Sequence, residues 1–185
     1  MEILQTPLQD LLIIKPRVFE DQRGYFFESF NANVFQEAGL NYNFVQDNES
    51  KSSYGVVRGL HYQLNPYAQA KLVRVIEGKV FDVAVDLRKG SPTFGKWYGE
   101  ILSGENKTQL LIPRGFAHGF SVLSPTAVFI YKCDNFYNRE SEAGIHIMDE
   151  KLAIDWNLKA GEMVVSDKDQ KQPGFDQAKM NFHYA

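Results

Sequence analysis

Nine short apolar segments, each bounded by turn-forming residues, constrain this chain more than any other feature of its sequence. They run Leu11 to Ile14, Gly24 to Phe30, Val56 to Tyr62, Lys71 to Ile76, Lys79 to Leu87, Trp97 to Leu102, Gln109 to Ile112, Ala117 to Leu123 and Ala127 to Cys133. Segments this short, at this spacing, suit strands, and nine of them make a sandwich or a barrel. The 14 phenylalanines and 9 tyrosines lean the same way, because aromatic side chains fit pleated, half-buried surfaces. So many strands leave edges that need protection, and closure into a jelly roll is one way to protect them. With 185 residues, 44% of them hydrophobic, the chain can bury roughly 70% of the surface its unfolded form exposes. The expected architecture is a single all-β domain over residues 1–185, with a few short helices.

Within that pattern, the segments ending at Ile76 and starting at Lys79 are separated only by Glu77 and Gly78. This spacing predicts a tight hairpin, with glycine in the second turn position. Along Lys79 to Leu87, Lys79, Phe81, Val83 and Val85 share one face, and Val80, Asp82, Ala84 and Asp86 share the other. Asp82 therefore sits among small apolar groups and needs a partner. Asn33 to Ala38, opened by a capping Asn31 or Asn33 and closed by Gly39, reads as a short helix. Asp134 to Asp149 is polar, Leu152 to Trp156 is apolar again, and Asp167 and Asp169 fall on a charged loop of the tail. No linker or internal repeat is visible.

The formal charge of −3 offers no basic field for counterion release, which disfavours nucleic-acid binding as a main activity. Met1 to Asp10 holds no basic segment followed by an apolar run, and nothing approaches 18 uninterrupted apolar residues. Neither a secretory signal nor a membrane span is expected. The one cysteine, Cys133, excludes an intrachain disulfide and fits a reducing, cytoplasmic compartment.

The run Arg58-Gly59-Leu60-His61-Tyr62-Gln63 places an imidazole and a fixed positive charge around a glycine. In a regular strand Arg58 and His61 point to opposite faces, whereas a bulge at Gly59 would bring both to one face. Taken alone the run has a plain reading too, a surface arginine and a hydrogen-bonded wall histidine. Lys71, His118, Tyr131 and Asp169 are further candidates, each with its own bland alternative: a strand-end lysine, a structural histidine, a packed tyrosine, a solvated acid. A functional metal is not expected, because neither His61 nor His118 has a second histidine two residues on, and catalytic zinc needs about three protein ligands. No glycine-rich phosphate loop occurs.

Several ordered stretches together carry a resemblance. They are Val18 to Glu28, Phe44 to Asn48, Arg58 to Gln63, Lys71 to Arg74, Val80 to Asp86, Ser91 to Gly95, Glu105 to Lys107, Pro113 to Phe120, Tyr131-Lys132 and Ser166 to Asp169. In this order they resemble the dTDP-4-dehydrorhamnose 3,5-epimerases, enzymes with a cupin-type jelly-roll barrel, almost end to end. The resemblance implies an isomerase that epimerises carbons 3 and 5 of dTDP-4-dehydro-6-deoxy-D-glucose to dTDP-4-dehydro-L-rhamnose, with no cofactor. It implies His61 as general base, Asp169 as its orienting partner, Tyr131 as the acid on the other face of the sugar, and Lys71 near the enolate oxygen. Arg23 and Arg58 match pyrophosphate-holding positions, and Glu28, Gln46 and Asn48 match nucleotide contacts. His118, Glu142 and Lys168 match further substrate contacts, and Tyr137 a contact near the sugar or nucleotide. It further implies a homodimer with exchanged N-terminal strands, in which Phe19, Arg23 and Glu28 serve the neighbour's site. The nearest alternative is a single-carbon epimerase or ketoisomerase on a related dTDP-4-keto-6-deoxysugar. More remote are a noncatalytic sugar-binding cupin, disfavoured by the presence of both His61 and Tyr131, and a metal-dependent oxygenase, disfavoured by the sparse ligand set.

These residue types suit that chemistry. A ketone at carbon 4 makes the hydrogens at carbons 3 and 5 removable through an enolate, and one well-placed ammonium can lower such a barrier by ~3 kcal/mol. Histidine, with an ordinary pKa of about 6.5, can be neutral and basic near neutrality, and an aspartate steadies the imidazolium that forms. Inversion requires the proton to return from the other face, which a protonated phenol can supply.

Overall fold

The computed structural model describes residues 1–159 and 161–184. In chain order the strands are β1 (Glu2–Gln5), β2 (Leu12–Lys15), β3 (Phe19–Asp21), β4 (Gly24–Phe26), β5 (Gln46–Ser53), β6 (Val56–Gln63) and β7 (Lys71–Glu77). They continue with β8 (Lys79–Asp86), β9 (Trp97–Ser103), β10 (Gln109–Ile112), β11 (Phe116–Val122), β12 (Thr126–Cys133), β13 (Glu142–Gly144) and β14 (Val164–Val165). Two short helices, α1 (Ala32–Glu37) and α2 (Asp167–Gln170), complete the set with two single 3₁₀ turns. One sheet has the order β1-β2-β10-β7-β12-β5, the other β13-β6-β11-β8-β9, with β14 parallel to β6 at its side and β3-β4 as a separate hairpin. This is the expected all-β jelly roll. Each predicted apolar segment overlaps a strand, although Gly24 to Phe30 shrinks to β4.

The predicted β7–β8 hairpin does not form. β7 pairs with β10 and β12 in the first sheet, whereas β8 pairs with β11 and β9 in the second. Glu77 and Gly78 instead carry the chain around a corner from one sheet to the other, where the Gly78 carbonyl accepts from Gly104 and the Lys79 amide donates to Ser124 Oγ at 2.7 Å. A glycine-containing turn reverses a chain equally well within a sheet or between sheets. The choice is made by distant partners.

Three apolar clusters explain why so many strands read as buried on both faces. The interior cluster draws Val73, Val75, Leu110 and Phe129 from the first sheet and Val80, Ala84, Phe116, Phe120 and Val122 from the second. Outside the second sheet, Val57, Leu60, Tyr62, Phe81, Val83 and Val85 pack under Ile145, Trp156, Phe175 and Phe182 from the C-terminal third. Outside the first, Leu12, Ile14, Leu72 and Leu111 are covered by Phe35 of α1 with Phe30, Tyr42 and Phe44. Helix α1 starts at Asn31, whose side chain accepts from the amides of Asn33 and Val34, and it ends before Gly39.

Five strands fall outside the predicted segments: β1, β3, β13 and β14, which are at most four residues long, and β5, which is the longest of them. β5, Gln46-Asp47-Asn48-Glu49-Ser50-Lys51-Ser52-Ser53, holds no apolar residue, yet it pairs along its whole length with β12. It is an edge strand of the first sheet, with Asp47, Glu49, Lys51 and Ser53 exposed on one face and Gln46, Asn48, Ser50 and Ser52 partly or fully buried on the other.

Candidate active site

The base candidate reaches the interior through a bulge. His61 is opposite His118 and Arg58 is opposite Phe120, so three steps along β6 match two along β11. The extra residue puts Val57 and Leu60 together in the outer cluster, while Arg58 Nε donates to Ser52 Oγ of β5 at 3.1 Å, across the interior. Gly59 makes this possible: its φ is +132°, and a Cβ there would sit 2.6 Å from the Gly119 Cα. Gly119 is the matching requirement on β11, since its own Cβ would lie 2.7 Å from the Arg58 carbonyl oxygen. Sequence reasoning found the first glycine and missed the second, whose signal was its place directly after His118.

Asp169 arrives from the C-terminal region because β14 lies parallel to the start of β6, at Val56 and Val57, and hands the chain to α2. Ser166 caps that helix by accepting from the Asp169 amide at 3.1 Å. The charged loop expected there is thus a helical turn, and Asp169 is only 4% exposed. Its Oδ1 lies 2.7 Å from His61 Nε2, and its Oδ2 accepts from the Gly59 amide at 3.5 Å. Burial pushes the carboxyl pKa up, but the bonds from His61, Gly59 and Ser166 outweigh it and hold Asp169 below the ordinary carboxylate value.

A second imidazole stands beside the first. His118 Nε2 lies 3.1 and 2.9 Å from the two carboxylate oxygens of Asp82, which answers the need for a partner that Asp82 posed. Both are buried, and burial drives His118 down and Asp82 up, each toward its neutral form. Lys71 is at the head of β7; burial depresses its pKa, opposed by neighbours that include Asp82 and Glu142. Its Nζ stands 5.7 Å from the centre of the Tyr131 ring. Tyr131 belongs to β12 in the first sheet, packs against the interior cluster, and is raised by burial, so its phenol is protonated at neutral pH.

No fully buried side-chain nitrogen or oxygen among the described residues lacks a hydrogen-bond partner. Against that background, His61 Nδ1, His118 Nδ1, Lys71 Nζ and the Tyr131 hydroxyl make no hydrogen bond with a described residue, so these atoms open onto accessible space. Acceptors and donors are thus left for a polar ligand between the sheets. The donor set does not suit a metal: no group of three histidine, cysteine or carboxylate side chains among the described residues converges on one point.

The remaining predicted contacts divide by location. At the mouth, Glu142 accepts from Lys168 Nζ at 2.6 Å and from the Tyr137 hydroxyl at 3.1 Å. Gln46 Nε2 donates to Asn48 Oδ1 at 3.0 Å, and Asn48 Nδ2 approaches Cys133 Sγ at 3.7 Å. The Tyr137 amide donates to Gln46 Oε1, tying that chain to the mouth. Phe19, Arg23 and Glu28 are not brought to this group. Arg23 pairs with Asp21, Glu28 accepts from Asn31 Nδ2, and Phe19 lies under Arg17, all within the N-terminal segment.

Comparison with known proteins identifies a family. The family model described as dTDP-4-dehydrorhamnose 3,5-epimerase matches residues 5–177. A dTDP-4-dehydrorhamnose 3,5-epimerase from Shigella flexneri is 58% identical over 170 residues, 91% of this chain and 93% of that protein. The crystal structure of the Elizabethkingia anophelis NUHP1 enzyme of the same name superposes with a TM-score of 0.92 at 60% identity, covering 95% of this chain and 97% of that one. A Legionella pneumophila Philadelphia 1 dTDP-6-deoxy-D-glucose-3,5-epimerase, solved in complex with dTDP-4-keto-L-rhamnose, gives 0.95 at 50% identity over 100% and 99% of the two chains. By sequence and by fold, the chain belongs to the dTDP-4-dehydrorhamnose 3,5-epimerase family.

Proposed function

We propose that this chain inverts carbons 3 and 5 of dTDP-4-dehydro-6-deoxy-D-glucose by two rounds of proton removal and return, giving dTDP-4-dehydro-L-rhamnose. The observation that carries the reading is the placement of His61 and Tyr131 on the two different sheets, with their free atoms open to accessible space. His61, with Nε2 committed to Asp169, offers Nδ1 as the base. Asp169 orients the ring and steadies the imidazolium after proton transfer. Electron density moves onto the carbon 4 oxygen, where the Lys71 ammonium meets it as an oxyanion-hole donor does. Tyr131 delivers a proton from the opposite side, which turns removal into inversion. Arg58 lies where it can hold a phosphate, leaving its terminal nitrogens free after the bond to Ser52. Gln46, Asn48, Tyr137, Glu142 and Lys168 would engage the nucleotide end at the mouth, and His118 the sugar.

The functional unit in this reading is a cytoplasmic homodimer of one-domain chains. Support comes from the β3-β4 hairpin, where Phe19, Tyr25 and Phe26 are 52%, 55% and 68% exposed on an element of three residues per strand. Isolated hairpins are marginal and apolar faces of this kind need cover. Exchange of this arm would carry Phe19, Arg23 and Glu28 into the neighbour's mouth, which explains why they are idle in a single chain. Among the described residues, no helix is long and apolar enough to cross a membrane.

The test is turnover in deuterium oxide, followed by proton NMR. The expected result is deuterium at both carbons 3 and 5 with both centres inverted. Exchange at one carbon selects a narrower epimerase, and no exchange overturns the reading.

A further inference from the structure

His118 is buried and bonded to a fully buried carboxylate, beside two aromatic rings. Its ring lies 6.0 Å from that of Phe129 at an interplanar angle of 23°, and 6.5 Å from that of Phe120. Those two rings stack on each other at 4.3 Å. The imidazole is thus flanked by this stacked pair. One ring nitrogen, Nε2, is given over to Asp82; the other, Nδ1, has no hydrogen-bond partner among the described residues, and Lys71 and His61 are charged or titratable neighbours of the ring.

The question is which nitrogen carries the proton. The charged or titratable groups acting on His118 are Asp82 on β8, Lys71 on β7 and His61 on β6. A cationic His118 would add a second positive charge beside Lys71 in a buried setting. A protonated Asp82 would leave the Lys71 ammonium without its negative neighbour on β8. With Asp82 ionised, His118 neutral and Lys71 cationic, the three groups sum to zero charge, and imidazole, the stronger base of the pair, keeps the shared proton. The proton then sits on Nε2, donated to Asp82.

We propose that Asp82 is a positioning residue that locks His118 as the neutral Nε2–H imidazole, so that bare Nδ1 accepts a hydrogen bond from a hydroxyl of the bound sugar while Lys71 alone supplies the cationic donor to the enolate oxygen. The proposal deepens the epimerase reading and rests on it for the sugar. It assigns the two neighbouring nitrogen groups opposite tasks: an acceptor that reads a hydroxyl, and a donor that reads developing charge. A hydroxyl meeting an acceptor is held in one rotamer, which fixes the face that the ring presents to His61.

The protein labelled with ¹⁵N tests this through the ring nitrogens of His118. At neutral and mildly alkaline pH, a long-range proton–nitrogen spectrum shows a protonated Nε2 and a bare Nδ1, and the Nδ1 resonance moves upfield when the nucleotide sugar is added. Asp82→Asn lowers kcat on the order of tenfold, the scale at which partners behind a functional histidine act. A proton on Nδ1, an imidazolium, an Nδ1 signal unmoved by the sugar, or a wild-type kcat in Asp82→Asn overturns the proposal. Should the variant fail to fold, the wild-type spectra still decide. An active epimerase with the proton on Nδ1 sinks only the lock, whereas an Nε2–H protein that exchanges no sugar proton sinks the epimerase reading.

Discussion

Two histidine–carboxylate contacts of nearly equal length, 2.7 Å for His61–Asp169 and 2.9 Å for His118–Asp82, stand side by side in this barrel and are built for different work. The His61 side chain is 34% exposed, and its carboxylate also accepts from a backbone amide and is held below the ordinary range. That ring can take a proton and have the charge steadied. The His118 side chain is 7% exposed, its carboxylate is 0% exposed, and burial drives both toward neutrality. This second ring resists charging. The lesson is that distance alone does not make a catalytic dyad; access to solvent and the number of bonds reaching the carboxylate decide whether a proton can be accepted.

The largest expected effect separates the two rings directly. His61→Asn lowers sugar proton exchange by roughly 10²–10⁴-fold, the span that general base catalysis contributes, with the fold retained by circular dichroism. His118→Asn costs about tenfold, as a substrate-orienting group does. Equal losses would erase the distinction.

A smaller effect comes from the backbone that aims His61. Gly59→Ala forces a side chain onto a residue at φ +132° with its Cβ 2.6 Å from Gly119, and the strain is about 1–3 kcal/mol in thermal or denaturant unfolding. Because the bulge sets the facing of His61 more than that of His118, activity falls further than the stability loss explains. An active variant of normal stability would remove the bulge from the account.

How much of this was legible in the sequence depends on whether a signal was local. The apolar segments announced the strands, and the Arg58 to Gln63 run announced a bend, because alternation and glycine act within a few residues. Asp82 was marked as needing a partner by its place on an otherwise apolar face. The β7–β8 corner was misread as a hairpin because the pairing is decided by β12 and β11, partners at least 30 residues away along the chain. β5 carried no apolar pattern, since both of its faces are polar and only its long pairing with β12 marks it as a strand. Asp169 looked like a solvated acid because its burial depends on β14 pairing with β6, more than 100 residues earlier in the chain. Phe19, Arg23 and Glu28 were expected at the site, yet each is engaged within the N-terminal segment, by Arg17, Asp21 and Asn31.

The smallest expected effect concerns pH and stability, and here the two carboxylates should slope in opposite directions. Asp169 has a depressed pKa when folded, so it stabilises above its ordinary value of 3.8, and that contribution is lost as pH falls through the folded value. Asp82 has a raised pKa when folded, so its contribution is fully present below 3.8 and declines as pH rises through the folded value. Relative to wild type, Asp169→Asn therefore loses most stability at neutral pH and recovers toward acid, whereas Asp82→Asn gains as pH rises. Parallel curves in urea unfolding would show that the two pairs are equivalent after all.

The central claim is that an imidazole and a phenol address the sugar from opposite walls. It is tested most directly by following Tyr131→Phe and His61→Asn with the 4-keto nucleotide sugar in deuterium oxide. The account predicts that Tyr131→Phe still exchanges the sugar protons for deuterium but returns them with retained configuration, whereas His61→Asn does neither. Inverted product at the wild-type rate from Tyr131→Phe, or exchange undiminished in His61→Asn, would contradict it.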